Sequence, residues 1–176
     1  NGPLLELATL QEYVLPLHPL KVVWFFYEGN DIRDLGREAT SLPVARYLTE
    51  GAYQRLIHRQ REINAVLESG VNVIEQSENR IDFFQLKRLR TALNLSGIGR
   101  GEAPADAIEP LLETFKSVME RASQLVRENG STMLFVYLPA PGRFTRDSRY
   151  FVNMEQKVMS IVCGAQVSTL SVSGRF

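Results

Sequence analysis

Cysteine, histidine and net charge are all scarce in this chain. Its 176 residues contain a single cysteine, Cys163, so no internal disulfide can form. Cys163 follows the apolar run 158–162, which predicts a buried structural thiol rather than a nucleophile. There are two histidines, His18 and His58, and no His or Cys pair has metal-ligand spacing, so no metal is expected. Neither a GxGxxG nor a Walker A pattern occurs, and nothing points to a nucleotide. Twenty Lys plus Arg balance twenty Asp plus Glu, which removes any overall attraction to nucleic acid or to an anionic membrane. The short basic run 87–90 reads as a solvated helix face. No apolar stretch reaches the roughly 18–20 residues of a membrane span.

What the chain does have is an ordinary globular composition, 44% hydrophobic, and a length that suits one domain. Pro3 sits where a first helical turn tolerates proline, and Leu4, Leu7, Leu10 and Val14 continue with helical spacing until Pro16 and Pro19. A strand is predicted over 21–27, then a charged loop over 30–42, then a helix near Pro43 with Ser41 as its cap. Gly51 interrupts that helix and helical spacing resumes over 52–67. Residues 81–95 read as a further helix, and 96–104, with three glycines, as a loop. The longest helix is expected over 105–128, its stripe from Leu111 to Val126 taken as core, with Asn129-Gly130 as the stop. Strands over 133–138 and 166–170 flank a helix over 151–162. Strand, helices, strand, helix, strand is the order of a parallel sheet covered on both faces, a three-layer α/β/α fold of flavodoxin-like type. Residues 36–104 then form a mostly helical insertion in a single domain, 1–176.

The most telling stretch is Lys21-Val22-Val23-Trp24-Phe25-Phe26-Tyr27-Glu28-Gly29-Asn30-Asp31. A strand-like run ends abruptly in Gly-Asn-Asp. In open parallel sheets, ligands bind beyond the carboxyl ends of strands. Asn30 is therefore the leading candidate for a functional residue. Its amide can aim an N–H at a developing oxyanion. The same residues are also common turn formers. Gly29 suits a close backbone approach or a positive φ. Asp31 suits hydrogen bonds from nearby backbone better than acid–base work, and Glu28 suits a loop pairing as well as a pocket. His18 precedes the strand, at the end away from the expected site. His58 lies among Arg55, Arg59 and Arg61 and reads as surface.

This stretch resembles the third conserved block of the SGNH (GDSL-type) hydrolases, in which a strand ends in Gly-x-Asn-Asp or Gly-Asn-Asp. The opening Asn1-Gly2-Pro3-Leu4-Leu5-Glu6-Leu7-Ala8-Thr9-Leu10 is similar to the tail of the second block in bacterial members. Residues 132–138 with Pro139-Ala140-Pro141-Gly142-Arg143-Phe144 look like a later strand and loop of the group. The resemblance implies an oxyanion hole containing Asn30, with Gly29 and Asp31 beside the substrate. The second-block glycine donor falls before Asn1, or is Gly2. The family's Gly-Asp-Ser and Asp-x-x-His blocks are both missing; Asp147-Ser148 lacks the glycine and the preceding strand.

The chain opens with Asn rather than Met, directly into a helix, so it reads as a segment of a longer protein whose nucleophile and base lie outside it. The resemblance implies a serine esterase acting on an ester or O-acyl group of a carbohydrate or lipid, with no metal or organic cofactor. It points to bacterial proteins that are periplasmic, secreted or membrane-anchored. Two alternatives stand beside it. One is an O-acyltransferase passing the acyl group to a polysaccharide; the other is a non-catalytic relative that binds a glycan or a protein.

Overall fold

β1 (Lys21–Tyr27), β2 (Thr132–Leu138) and β3 (Ser168–Ser171) form one sheet in that order. The computed structural model describes residues 1–49, 51–68, 108–144 and 149–175. Both pairings are parallel: Lys21 lies opposite Thr132 and Tyr27 opposite Leu138, while Leu134 lies opposite Ser168 and Tyr137 opposite Ser171. An α/β fold with a parallel sheet is thus what the alternating runs encode. β3 starts two residues later than expected because Gln166 takes a left-handed φ of 59° in the turn before it.

The core lies on one face of this sheet. Val22, Trp24 and Phe26 of β1 alternate inward, and the register sets Phe135 beside Trp24 and Tyr137 beside Phe26. The Phe26 and Tyr137 rings stack at 5.4 Å, and Phe115 meets Phe26 at 5.3 Å. Phe115 belongs to α4 (Ile108–Glu128), whose Leu112, Val118, Met119, Ala122 and Val126 complete the expected stripe. Leu4 and Leu7 of α1 (Pro3–Thr9) add to it, as do Met154, Val158 and Val162 of α5 (Arg149–Gly164). Each such buried side chain contributes about 1.5–3 kcal/mol of transfer free energy.

The other face of β1 differs from expectation. Val23, Phe25 and Tyr27 remain 44%, 55% and 38% exposed, so this face of β1 is uncovered among the described residues. β1 is also an edge strand. Leu20 O and Glu28 N bond toward β2, so the odd-numbered residues of β1 direct their backbone groups outward. Tyr27 N is held by Asp31, but Val23 and Phe25 have no backbone partner on that side among the described residues.

Several local readings change. The expected loop 30–42 is mostly helix: α2 runs Asp31–Glu38, with Ile32 and Leu35 buried. The helix near Pro43 is one turn, α3 (Leu42–Ala45), and the Ser41 side chain makes no capping bond. Cys163 is exposed, not buried. The buried positions of α5 repeat as Met154, Val158 and Val162, and Cys163 falls one residue off that stripe. The segment after 36 is not wholly an insertion. Tyr47 is buried in the core, and a second compact unit spans 55–103. Its described part is a 3₁₀ turn, Leu56–Arg59, followed by helix over 60–68, with His58 exposed as expected. The segments 81–95 and 96–104, the basic run 87–90 and Asp147-Ser148 lie outside the described residues. Among the described residues no helix is long and apolar enough to cross a membrane.

α4 stops as its sequence requires. Gly130 has φ +75°, Ser131 N donates to Val126 O and Gly130 N to Arg127 O, the paired bonds of a Schellman cap. A Cβ at Gly130 meets nothing within 4 Å, so conformation alone sets the effect of substitution. Gly130→Ala is expected to destabilise the domain by about 1 kcal/mol, read by urea unfolding. No change would mean that the cap is not held in this conformation.

Candidate active site

The carboxyl end of β1 is built by carboxylates that hold backbone N–H groups. Asp31 opens α2 and turns back onto its own strand, where Oδ2 accepts from Tyr27 N at 2.7 Å. Asp31 is buried, and its pKa is pushed up to about 6 by burial, offset by the Tyr27 bond and raised further by Asp34 and Glu38. It therefore seals the end of the strand. Glu38, at the other end of α2, accepts from Gly2 N at 2.5 Å, Leu4 N at 3.0 Å and Leu5 N at 3.2 Å. These are N–H groups of the first turn of α1, which lack intrahelical partners. Glu38 caps α1 from 33 to 36 residues away in sequence.

This arrangement decides the role of Gly2. Its N–H is committed to a buried carboxylate and is not a free oxyanion donor. A Cβ there would come within 2.8 Å of Leu35 N and 2.9 Å of Glu38 Oε2, so glycine is needed for α1 to approach α2. Gly29 likewise serves close approach rather than a positive φ: a Cβ would lie 2.5 Å from the Tyr27 ring.

Asn30 is the N-cap residue of α2 and half-buried. Its Nδ2 donates to Asp34 Oδ2 at 2.5 Å, and Asp34 N returns a bond to Asn30 O at 2.8 Å. Among the described residues, the second Nδ2 hydrogen has no partner. Arg33 folds back alongside, with Nη2 donating to Gly29 O at 3.3 Å, while its buried Nε has no partner among the described residues.

Glu6 on α1 shares this acidic neighbourhood. Its Oε2 is buried and has no hydrogen-bond partner among the described residues. Burial, followed by the nearby Asp31 and Glu38, pushes its pKa up to about 8, against a smaller lowering by the amino end. Glu6 and Trp24, whose Nε1 is also buried without a partner, line a cavity of about 260 Å³ running along β1 as far as Phe25.

A second cluster joins the carboxyl ends of the strands. Glu28 follows β1, and its side chain is fully buried. It accepts from Tyr137 OH at 2.6 Å, Ala140 N at 2.9 Å, and Arg143 Nη2 and Nε at 2.5 and 3.1 Å. Arg143 also pairs with Glu155 of α5 at 2.8 Å, and Glu155 accepts from Ser171 at the end of β3 and from Ser173 just after it. Burial and the Glu28 bond raise the Tyr137 pKa; the Glu28 bond raises that of Arg143. Burial alone would raise the Glu155 pKa, but Ser171, Ser173 and Arg143 outweigh it and lower it. The network fixes the loop 139–144. Beside it is an apolar cavity of about 510 Å³ lined by Tyr27, Leu138, Pro139, Pro141, Phe144 and Val172. A larger cavity, about 650 Å³, lies between α4 and α5 and shares no lining residue with this end of the sheet.

Of the residues singled out in the sequence, the fold brings Gly29, Asn30 and Asp31 to the carboxyl end of β1, while Gly2 lies against Leu35 and Glu38 of α2. His18 is exposed before the strand, with a left-handed φ of 48°. Among the described residues no group of three or more His, Cys, Asp or Glu is placed to hold a metal. Glu6, Glu38 and Asp34 were not legible as site residues, because their roles depend on α1 and α2 meeting. No family model, no curated protein and no solved structure matched the chain.

Proposed function

We propose that residues 1–176 form part of an SGNH-type serine ester hydrolase, acting on an ester or O-acyl group of a carbohydrate or lipid. The observation that carries this reading is Asn30, whose amide stands just beyond the carboxyl end of a parallel strand with one N–H unengaged among the described residues. The Ser and His of such an enzyme lie outside this segment. Ser attacks the acyl carbon, His takes its proton, and the Asn30 amide stabilises the resulting oxyanion. The apolar cavity beside Tyr27 and Phe144 gives the alkyl portion of an ester a place to lie.

The same reading accounts for the unfinished side of the sheet. The backbone groups of Val23 and Phe25 face outward, and Glu6 Oε2 and Trp24 Nε1 have no partner among the described residues. A serine-bearing strand added at this edge would pair those groups, and a helical layer over Val23, Phe25 and Tyr27 would complete a three-layer sandwich.

The test is Asn30→Ala in the full-length protein, assayed with an aryl acetate. Turnover is expected to fall by ~10²-fold with little change in melting temperature. Residues 1–176 alone are expected to show no esterase activity. Unchanged turnover in the Asn30 variant would remove this residue from the chemistry and the reading with it.

A further inference from the structure

We infer that Asp34 is the positioning residue for Asn30: it locks the amide so that one N–H points out beyond the end of β1. This inference rests on the oxyanion role proposed for Asn30. The terminal torsion of an asparagine is broad, and a free amide presents its oxygen as readily as its nitrogen. A carbonyl oxygen facing a developing oxyanion would repel it. Asp34 removes that ambiguity. Its carboxylate only accepts hydrogen bonds, so it holds the nitrogen of Asn30 and excludes the oxygen. One Nδ2 hydrogen is bound at 2.5 Å, and the other is directed by the planarity of the amide.

The placement is secured twice over. Asp34 N donates to Asn30 O at 2.8 Å in the first turn of α2, so the two residues are tied through backbone as well as side chain. Arg37 Nη1 holds the second carboxylate oxygen of Asp34 at 3.1 Å, which fixes its rotamer. A carboxylate this close to an oxyanion is electrostatically unfavourable in isolation. Here its charge is offset by Arg37 and by the positive end of the α2 dipole, where acidic side chains are favoured. The effect left over is orientational. It belongs to the Asn30 amide and has no separate existence once that amide is removed.

The experiment is a double-mutant cycle in the full-length protein with an aryl acetate, measuring kcat, KM and melting temperature. Asp34→Ala is expected to lower kcat about tenfold with KM nearly unchanged. Asp34→Asn keeps an acceptor oxygen and is expected to retain most of kcat. In the Asn30→Ala background, Asp34→Ala should cause no further loss, because the group it orients is gone. Additive losses, or an Asp34→Ala variant with unaltered kcat, would overturn the positioning role while an Asn30→Ala defect left the oxyanion reading intact. An Asn30→Ala variant with full activity would overturn both. A fall in kcat that tracks melting temperature equally in Asp34→Ala and Asp34→Asn would show that Asp34 acts only on stability, and would also overturn it.

Discussion

Replacing Glu28 by alanine is expected to destabilise the domain by about 3–5 kcal/mol, enough to consume a large part of the stability of a domain this size. The Glu28 carboxylate is fully buried and accepts from Tyr137 OH, Ala140 N and two nitrogens of Arg143. The Arg143 side chain is 9% exposed. Removing the acceptor leaves a hydroxyl, a backbone N–H and part of a guanidinium without partners in a place water barely reaches. Each unsatisfied group costs about 1–3 kcal/mol. Arg143 keeps Glu155, which limits the loss, and a guanidinium does not escape burial by losing its proton. The double variant Glu28→Leu with Arg143→Met should lose clearly less than the two single variants together, since the charge left over, Glu155, keeps its bonds from Ser171 and Ser173. Urea unfolding of the three variants decides the matter. A single-variant loss below about 1 kcal/mol would mean that water reaches the network and replaces the lost bonds.

That network also marks the limit of what the sequence carried. Strands β1 and β2 were legible because their six-residue apolar and aromatic runs, 22–27 and 133–138, are a local signal. α4 was legible because its stripe and its Asn129-Gly130 stop are local as well. α2 was not. Its charges, Asp31, Arg33, Asp34, Arg37 and Glu38, read as loop, and only Ile32 and Leu35 carried the helical spacing. Glu38 looked like surface because nothing in its neighbourhood reveals that α1 will present three N–H groups to it. The Glu28–Arg143 pair spans 115 residues, beyond the reach of any periodicity. Gly2 stood out only as a backbone donor implied by the resemblance, whereas its N–H is held by Glu38 and its missing side chain lets α1 approach α2. Asn30 was legible in place, at a strand end, while the partner that orients it depended on recognising the helix that follows.

The domain is expected to lose stability as pH rises from about 5 to 8.5, and Glu6→Gln is expected to abolish most of that loss. Glu6 holds its proton in the folded state up to about pH 8, whereas its ordinary value is 4.5. Between those values the folded state binds more protons than the unfolded one, so stability falls as pH rises. Asp31 adds a smaller term of the same sign between 3.8 and about 6. The groups that set the Glu6 value are all close by. Burial of a carboxyl with an unpaired Oε2 comes first, followed by the charges of Asp31 and Glu38, against the opposite charge of the amino end. Neither acidic neighbour can move away: Asp31 is tied to Tyr27 N, and Glu38 to the first turn of α1. Glutamine has nearly the shape of protonated glutamic acid and no charge to bury. At pH 8.5 Glu6→Gln should therefore be more stable than the parent by about 3 kcal/mol, with the full linkage value reduced for partial solvent access. At pH 5 the two should differ by no more than about 1 kcal/mol. Urea unfolding at pH 5, 7 and 8.5 gives both comparisons. If the parent is as stable at pH 8.5 as at pH 5, or if the variant gains nothing there, Glu6 is ionised in the folded protein and the carboxylates around α1 are solvated rather than buried.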